Sequence, residues 1–278
     1  MLAGAKGFDV FVSDSGTIAE KYKAMLLDRG IPFEEGHHTE AQILNADEIV
    51  KSPGIPDTAP IVRAAVERGI PILSEIELAG RYTDAQMVCI TGSNGKTTTT
   101  SLTYHILREA GLDVGLAGNI GRSLALQVAE EPHACYVIEL SSFQLDNMYS
   151  FKADIAVLMN ITPDHLNRYG GEMQRYVDAK LRILQNQTRA DAFIYWADDP
   201  ILRREVAKHH PEATCYPFSD ADRPELKGRL TSDGQICIET PRGTLRIPRT
   251  ALALRGTHNL YNAIAAATAA RLAGADDA

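Results

Sequence analysis

The sequence predicts an α/β protein built on parallel sheets. Short β-rich runs alternate with amphipathic stretches along most of the chain, which is the pattern of strand–helix–strand units. A glycine-rich turn follows one apolar run directly and opens a helical stretch, and several helical stretches end just before a glycine. Together these observations indicate parallel strands joined by helices.

The composition excludes several classes of protein. The 278 residues include 28 Lys plus Arg, 36 Asp plus Glu and 45% hydrophobic residues, which gives a net charge of −8. This balance is typical of a folded globular chain, and the acidic excess disfavours general binding to nucleic acid. No apolar stretch is long enough to span a membrane. The four cysteines lie far apart and the N-terminus lacks a signal peptide, so we expect a cytoplasmic protein.

The first region, residues 1–83, contains few but clear signals. We predict strands at residues 8–12 and 48–51 and helices at residues 17–29 and 60–68, both ending before a glycine. Residues 1–7 look like the tail of a helix. Because a doubly wound sheet normally opens with a strand and a glycine-rich turn, we expect further residues upstream.

The second region, residues 84–278, has a stronger alternation of elements. The predicted strands are residues 86–91, 112–116, 135–140, 154–160 and 192–196. The predicted helices are residues 97–110, 172–187, 199–208 and 259–273. Within residues 226–254, turn signals at Ser232-Asp233-Gly234 and Pro241-Arg242-Gly243 separate short alternating runs. These runs predict antiparallel hairpins that extend the sheet or form a flap.

A phosphate-binding loop is the strongest functional motif. It runs Thr91-Gly92-Ser93-Asn94-Gly95-Lys96-Thr97-Thr98, between an apolar strand and a helix. In that context backbone amides and the helix N-terminus face phosphate, Lys96 can reach the β- and γ-phosphates, and the Thr97 hydroxyl can bind Mg²⁺. The loop is shorter than the common pattern, because Ile90 stands where that pattern has its first glycine. The alternative is a capped turn with a solvated lysine.

Polar residues follow two other predicted strands. Glu139 ends an apolar run and is the first candidate magnesium ligand, while Ser141 and Gln144 follow it at the same rim. His165 comes just after the strand at 154–160 and could bind a metal, although a lone histidine is more often a surface residue. Lys180 lies in the middle of a helix, where residue chemistry alone predicts a solvated side chain.

Two asparagines begin the last helix. Asn259 and Asn262 are three residues apart, so their side chains share one helix face. Paired amides could contact a nucleobase or a ribose. Helix capping by Thr257 or Asn259 with ordinary packing explains the same residues equally well.

These motifs together resemble the Mur ligases, ATP-dependent amino-acid ligases that build the peptide stem of the bacterial cell wall. The resemblance runs from about residue 8 to the C-terminus. Further segments resemble the branch of the family that adds D-glutamate to UDP-N-acetylmuramoyl-L-alanine. They are Ser52-Pro53-Gly54-Ile55, Ser74-Glu75-Ile76-Glu77, Gly118-Asn119-Ile120-Gly121 and Glu139-Leu140-Ser141-Ser142-Phe143-Gln144-Leu145.

The resemblance implies a site for ATP and two Mg²⁺ ions. ATP would bind the loop, with Lys96 on the γ-phosphate and with Thr97 and Glu139 on the first Mg²⁺. His165 would bind the second Mg²⁺, and Lys180 would be carbamylated by CO₂ to give an anionic ligand for it. Lys96, Lys180 and His165 are therefore the expected catalytic residues.

The resemblance also implies binding residues for the substrates. Those for ATP are Gly92, Ser93, Asn94, Gly95, Lys96, Thr97, Thr98, Asn259 and Asn262. Those for the uridine and diphosphate are Ser13, Asp14, Ser15, Ser52, Pro53 and Gly54. Those for the rest of that substrate are Asn119, Ser141 and Gln144.

The implied domain order is incomplete at both ends. Residues 1–83 would form a Rossmann-like UDP-substrate domain that lacks its first strand and diphosphate turn. Residues 84–278 would form the central P-loop-type ATP domain with a small antiparallel extension, and a D-glutamate domain is expected after residue 278. Two alternatives stay open: a nucleotide-binding fragment without ligase activity, and a sibling Mur or folylpolyglutamate-type ligase.

Overall fold

The computed structural model describes residues 1–253 and 256–276, which divide into two compact units. The first unit comprises Met1–Thr83 and Ser123–Pro132, and the second comprises Asp84–Arg122 and His133–Ala278. Within the described residues, no helix has both the length and the apolar character needed to cross a membrane.

Eleven helices and thirteen strands are assigned in the described chain. The helices are α1 (Leu2–Ala5), α2 (Glu20–Asp28), α3 (Glu40–Ile43), α4 (Pro60–Glu67), α5 (Glu75–Gly80), α6 (Lys96–Glu109), α7 (Leu124–Glu130), α8 (Ser142–Leu145), α9 (Met173–Leu181), α10 (Pro200–His209) and α11 (Thr257–Ala273). The strands are β1 (Val12–Asp14), β2 (Phe33–Glu35), β3 (Ile49–Val50), β4 (Ile72–Leu73), β5 (Gln86–Thr91), β6 (Val114–Gly118), β7 (Cys135–Glu139), β8 (Ile155–Leu158), β9 (Ala192–Trp196), β10 (Thr214–Phe218), β11 (Gly228–Leu230), β12 (Gln235–Thr240) and β13 (Gly243–Pro248). Short 3₁₀ helices cover Leu166–Tyr169, Arg182–Leu184 and Arg249–Ala251.

The first unit contains two small parallel sheets. β1 pairs with β2 over three residues, and β3 pairs with β4 over two. Each of two separate apolar clusters is small: one contains Ile18, Leu26 and Ile31, and the other contains Leu44, Val62, Ala65 and Ile72. Helix α7 belongs to this unit and contacts α5.

Two predicted elements of the first unit are displaced. The strand predicted at 8–12 is wrong, because the ladder begins at Val12, opposite Phe33, and both strands are only three residues long. The helix predicted at 17–29 is shorter, because Ala19 has extended backbone and the helix starts at Glu20. The strand at 48–51 and the helix at 60–68 are confirmed to within one residue at each end. The elements β2, α3, β4, α5 and α7 were not predicted.

The second unit is built on one nine-stranded sheet, which confirms the α/β fold class. The strand order is β13-β12-β11-β10-β9-β8-β5-β7-β6. The strands from β6 to β11 are parallel, whereas β12 and β13 are antiparallel to their neighbours. The predicted hairpin extension is therefore confirmed at one edge of this sheet.

Most predicted elements of the second unit are found where expected. The strands at 86–91 and 192–196 have the predicted bounds. The strand predicted at 112–116 lies two residues later, and the helix predicted at 172–187 ends at Leu181 and continues only as a 3₁₀ turn. Strand β10 was not predicted. Helix α11 packs on α6 and on the sheet, and its many alanines allow that close approach.

Parallel pairing determines where a site can form. The carboxyl ends of parallel strands open on the same edge of a sheet, and the loops that follow them lie together there. Because β5 pairs with β7 on one side and β8 on the other, the loops after these three strands are neighbours. They carry the phosphate-loop motif, Glu139 and the segment leading to His165.

Candidate active site

The glycine-rich loop joins β5 to α6, as the motif predicts. Gly92 has φ +150° and Gly95 has φ +83°, conformations that side-chain-bearing residues rarely adopt. Space excludes a side chain as well. A Cβ on Gly92 would lie 2.9 Å from Met159 Cβ, and one on Gly95 would lie 2.6 Å from Asn262 Oδ1. Both glycines are therefore required for this loop shape.

The loop is bound to the segment that follows β8. The backbone amides of Ser93 and Asn94 donate to Asn160 O and Asn160 Oδ1, each at 2.9 Å. Ser93 Oγ donates to Thr162 O and accepts from Thr162 N, both at 2.9 Å, and lies 2.9 Å from the hydroxyl of Tyr176. These bonds hold the loop in one conformation. They also mean that the Ser93 hydroxyl and the Asn94 backbone amide already have hydrogen-bond partners within the protein.

Two lysines converge on one carbonyl of this loop. Lys180 Nζ donates to Gly92 O at 2.8 Å, and Lys96 Nζ donates to the same oxygen at 2.9 Å and to Ser93 O at 3.0 Å. Lys180 is only 2% exposed, so the solvated side chain predicted from residue chemistry alone is wrong. Helix α9 places Lys180 under the loop, and its ammonium lies 4.7 Å from the ring centre of Tyr176.

The surroundings of the two lysines lower the pKa of each. Burial, reinforced by the Lys96 ammonium, lowers the pKa of Lys180 to about 7 against opposition from the Asp164 and Asp146 carboxylates. Burial also lowers the pKa of Lys96, while Glu139 and Asp164 act in the opposite direction. A lysine that is partly neutral near pH 7 can act as a nucleophile.

Glu139 lies at the carboxyl end of β7 and is 1% exposed. Asn119 Nδ2 donates to Glu139 Oε1 at 2.8 Å, and Asn119 N donates to Glu139 O at 2.9 Å. The other carboxylate oxygen, Oε2, is buried and has no hydrogen-bond partner among the described residues. A buried, unpaired carboxylate oxygen is costly unless a cation or water satisfies it.

His165 has an unusual backbone at the end of its loop. Its φ is 49°, a left-handed value that is uncommon for a residue with a side chain. The imidazole is 57% exposed, lies 5.3 Å from the ring of Phe143 and 3.5 Å from an Asp164 carboxylate oxygen.

Thr97, in the first turn of α6, is exposed. Among residues 1–253 and 256–276 no three His, Cys, Asp or Glu side chains form a metal cluster.

Several candidate residues make contacts that stabilise the protein itself. Ser141 and Gln144 form a reciprocal capping box at the start of α8. Asn262 is buried, and its Oδ1 lies 3.3 Å from Thr99 Oγ1 and next to Gly95. Asn259 is partly buried and lies in the first turn of the same helix, which begins at Thr257, two residues before the predicted start. The ligand-binding roles of these residues stay predictions.

The candidates in the first unit lie at the end of β1 and in the segments that follow β1 and β3. Asp14 Oδ1 accepts from Gly16 N at 2.7 Å, and Ser13 Oγ donates to Glu34 Oε1 at 2.7 Å. Glu34 also accepts two bonds from Thr39, and these hydrogen bonds lower the pKa of Glu34 to about 2. Ser15 is exposed, and Ser52 O accepts from Ile55 N in a turn that contains Pro53 and Gly54. The two groups lie at the carboxyl ends of different small sheets.

The structure adds residues that sequence patterns did not identify. Asp164 acts electrostatically on both lysines, Tyr176 contacts Ser93, and Asn160 holds two loop amides. The only sequence signal was position, since Asn160 ends the strand predicted at 154–160 and Asp164 follows it. Nothing in the local sequence distinguishes Tyr176 from an ordinary core tyrosine.

Family comparison agrees with this geometry. Residues 90–270 match the model of the Mur ligase middle domain, and residues 2–60 match that of the MurD N-terminal domain. The chain belongs to the Mur ligase family. The matched middle-domain segment includes the phosphate loop, Glu139, His165, Lys180 and both asparagines of α11.

Similar proteins of defined name cover nearly all of this chain. A UDP-N-acetylmuramoylalanine–D-glutamate ligase of Bacteroides fragilis is 63% identical over 274 residues, which is 99% of this chain and 61% of the relative. One from Porphyromonas gingivalis is 58% identical over 98% of this chain and 60% of the relative. The chain therefore spans about three-fifths of the length of these curated relatives.

Solved structures of Mur-type ligases share the fold. The murein peptide ligase of Psychrobacter arcticus matches with a TM-score of 0.62 and 20% identity over 98% of this chain and 62% of that one. The UDP-N-acetylmuramate:L-alanyl-γ-D-glutamyl-meso-diaminopimelate ligase of Neisseria meningitides matches with a TM-score of 0.63 and 22% identity over 99% of this chain and 89% of that one. At these identities the similarity establishes the fold alone.

Proposed function

We propose that this chain forms the ATP and UDP-substrate parts of a ligase that joins D-glutamate to UDP-N-acetylmuramoyl-L-alanine. The observation that carries the proposal is the 63% identity, over 99% of the chain, to a ligase of that name. The geometry supports it, because a glycine loop, two lysines and a buried carboxylate meet at one edge of a parallel sheet. Because the reaction consumes ATP, we propose the cytoplasm as its compartment.

We propose that the loop after β5 binds the ATP phosphates. Its backbone has the shape of a phosphate cradle, and α6 begins there, so the positive end of the helix adds to the attraction. Lys96 now donates to two loop carbonyls. In the complex we expect its ammonium to leave these oxygens for the β- and γ-phosphates, where opposite charge offsets the lost bonds.

The residues fit a first Mg²⁺ beside the phosphates. Glu139 Oε2 is a buried oxygen without a partner in the described chain, and Thr97 offers an exposed hydroxyl at the start of α6. When bound, the ion supplies positive charge that stabilises negative charge developing on the transferred phosphoryl group. We propose Glu139 and Thr97 as its protein ligands.

Lys180 fits a second cation only after modification, since an ammonium repels a cation. We propose that the neutral Lys180 amine attacks the carbon of CO₂. A nitrogen–carbon bond forms, a carbon–oxygen π pair moves onto oxygen, and the amine proton leaves to water. The resulting carbamate is an anion on a long side chain, and His165 completes the proposed ligand pair.

The proposed reaction has two steps. The carboxylate of UDP-N-acetylmuramoyl-L-alanine attacks the γ-phosphorus of ATP, giving an acyl phosphate and ADP. The D-glutamate amine then attacks the acyl carbon, phosphate leaves with the bonding electron pair, and the amine loses a proton. Because the first step joins two anions, Lys96 contributes by offsetting charge and the loop by alignment.

Turnover of defined precursors tests the proposed function. A protein that contains this chain at the full length of its relatives is assayed with ATP and UDP-muramyl precursors that carry different peptide stems. We expect phosphate release only with the L-alanine precursor and D-glutamate. Preference for another stem or for a folate would contradict the substrate assignment. Turnover by the longer protein, together with ATP binding but no turnover by the 278-residue chain, would support a nucleotide-binding fragment.

Chemical rescue tests the carbamate separately. In the same full-length protein, Lys180→Ala should lose activity, and a short-chain carboxylic acid that occupies the vacated space should restore part of it. Full activity of Lys180→Ala without the acid would exclude a carbamate role. Arg182→Ala offers no comparable cavity at the loop and should not respond to the acid.

A further inference from the structure

Asn119 and Glu139 meet where β6 and β7 end side by side. Gly118 pairs with Glu139 in the parallel ladder, and a Cβ on Gly118 would lie 2.2 Å from Glu139 O. Gly118 also has φ +93°, so the chain turns sharply at this point. The turn brings Asn119 N within 2.9 Å of Glu139 O. The backbone of Asn119 is thus anchored on the residue whose side chain it also contacts.

The side chain of Asn119 forms a second bond to the same residue. Its Nδ2 donates to Glu139 Oε1 at 2.8 Å. Asn119 is exposed whereas Glu139 is 1% exposed, so the amide lies on the solvent side of the buried carboxylate. The backbone bond to Glu139 O fixes Asn119 beside Glu139, and the side-chain bond to Oε1 then restricts rotation of the carboxylate.

This restriction distinguishes the two carboxylate oxygens. Oε1 has the Asn119 amide, and Oε2 has no hydrogen-bond partner in the described chain. The Glu139 carboxylate acts to raise the pKa of Lys96, but the Lys96 ammonium donates its hydrogen bonds to the loop carbonyls instead. Oε2 is therefore the oxygen left to bind an added cation.

We propose that Asn119 is a positioning residue that fixes the Glu139 carboxylate so that Oε2 alone binds a divalent cation. The inference rests on the proposed magnesium site and refines it. It differs from a role for Asn119 in substrate contact, because the loss of Mn²⁺ affinity is expected with nucleotide and metal alone, in the absence of the UDP substrate. Groups that orient a metal ligand commonly change metal affinity by about 10- to 100-fold when removed.

A double-mutant cycle on the 278-residue chain tests this inference. Mn²⁺ binding is titrated by electron paramagnetic resonance in the presence of ADP, and ADP binding is measured without metal by calorimetry. We expect Asn119→Ala to weaken Mn²⁺ binding about 10-fold, with metal-free ADP affinity changed less than about two-fold. In the Glu139→Gln background, Asn119→Ala should have no further effect on Mn²⁺ binding, because the group it positions is gone.

Two further variants keep the result interpretable. Gln174→Ala removes an amide that donates to Asp178 Oδ1 at 2.9 Å on the exposed face of α9, and it should leave Mn²⁺ affinity unchanged. If Asn119→Ala does not fold, as judged by its thermal midpoint, Asn119→Ser replaces it, since a serine hydroxyl is too short to reach Oε1 as the amide does.

The outcomes separate this inference from the proposed function. If the parent chain with ADP binds no Mn²⁺, or if Glu139→Gln binds Mn²⁺ as tightly as the parent, the proposed metal site fails and the inference fails with it. If Glu139→Gln weakens Mn²⁺ binding but Asn119→Ala does not, only the positioning role is overturned. Additive effects of the two substitutions would also overturn it.

Discussion

The two ends of the nine-stranded sheet use charged residues in opposite ways. Where strands are parallel, the loops after β5, β7 and β8 gather at one edge, and the buried Lys180 and the half-buried Lys96 donate there to a backbone carbonyl. Where β11, β12 and β13 are antiparallel, charged residues pair across neighbouring strands. Arg229 Nη1, for example, donates to Glu239 Oε1 at 2.7 Å.

The difference shows how connectivity determines the chemistry that a sheet can support. Parallel strands end together, so polar loops accumulate and exclude water from charged groups. Antiparallel strands joined by tight turns end alternately at opposite edges, and their side chains satisfy one another in pairs. We therefore expect substitutions at the parallel edge to change ligand binding, and substitutions in the extension to change stability without changing ligand binding.

The largest expected effect is on the pH dependence of stability and concerns Lys180. Its pKa is about 7 in the folded chain and 10.5 for an unperturbed lysine, so the unfolded chain binds more protons between these values. The free energy of unfolding should therefore rise as pH increases from 7 to 10.5, by up to about 5 kcal/mol. Denaturant unfolding of the parent and of Lys180→Met at several pH values measures this difference.

A control residue shares the chemistry but not the burial. Lys227, in the extension, is 45% exposed and pairs with Glu239, so Lys227→Met should retain the parent's rise in stability between pH 7 and pH 10.5. If the free energy of unfolding changes with pH by the same amount in the parent and in Lys180→Met across this range, the burial argument is contradicted. Asp164 and Asp146, which face Lys180, are retained in every variant.

The second effect concerns ATP binding. Lys96→Ala should weaken ATP binding about 100-fold, because a charge-assisted contact to phosphate is lost. Stability should change little, since Lys96 contributes charge rather than packing. Calorimetric titration with ATP and Mg²⁺ measures the loss, and Lys227→Ala serves as the matched lysine control. Near-parent affinity in Lys96→Ala would show that the loop binds phosphate without it.

The third effect tests packing under the extension. A Cβ on Gly228 would lie 2.5 Å from Ile264 Cγ2 and 3.1 Å from Phe218 Cβ. Gly228→Ala should therefore destabilise the chain by about 2 kcal/mol through overpacking against α11. Urea unfolding measures this loss, with Thr244→Ala on the exposed edge strand as the control. Unchanged stability would mean that α11 moves to make room for the added methyl group. ATP affinity should then be measured for Gly228→Ala and Thr244→Ala.

The smallest effect concerns the ion pair of the extension. The Arg229 guanidinium lowers the pKa of Glu239, so the pair stabilises the chain above the unfolded pKa of the carboxyl and is lost as pH falls through the folded value. Solvent screens this pair, and Glu239→Gln should cost only about 0.5 kcal/mol at pH 7. Unfolding at pH 7 and at pH 3 should show the difference disappearing in acid. A loss of ATP affinity in Glu239→Gln would contradict the expected difference between the two ends of the nine-stranded sheet.

Patterns that are local in sequence predicted much of the fold and the main motif. The strand at 86–91, the glycine loop and the following helix were correct because each depends on a few neighbouring residues: apolar alternation, flexible glycines and a helix start. Strand β9 and helix α4 were found for the same reason. The resemblance to Mur ligases depended on motifs of the same local kind.

Tertiary structure alone decided which side chains meet and how deeply they are buried. Lys180 has an unremarkable helical position, and only packing of α9 under the loop places its ammonium on Gly92 O, 88 residues away. Asn119 and Glu139 meet because β6 and β7 are paired, and the very short strands of the first unit exist only through their partners. Neighbouring residues control backbone conformation, so the local elements and the loop could be predicted from short stretches of sequence. Burial, pairing and pKa depend on contacts between distant segments, which no local pattern contains.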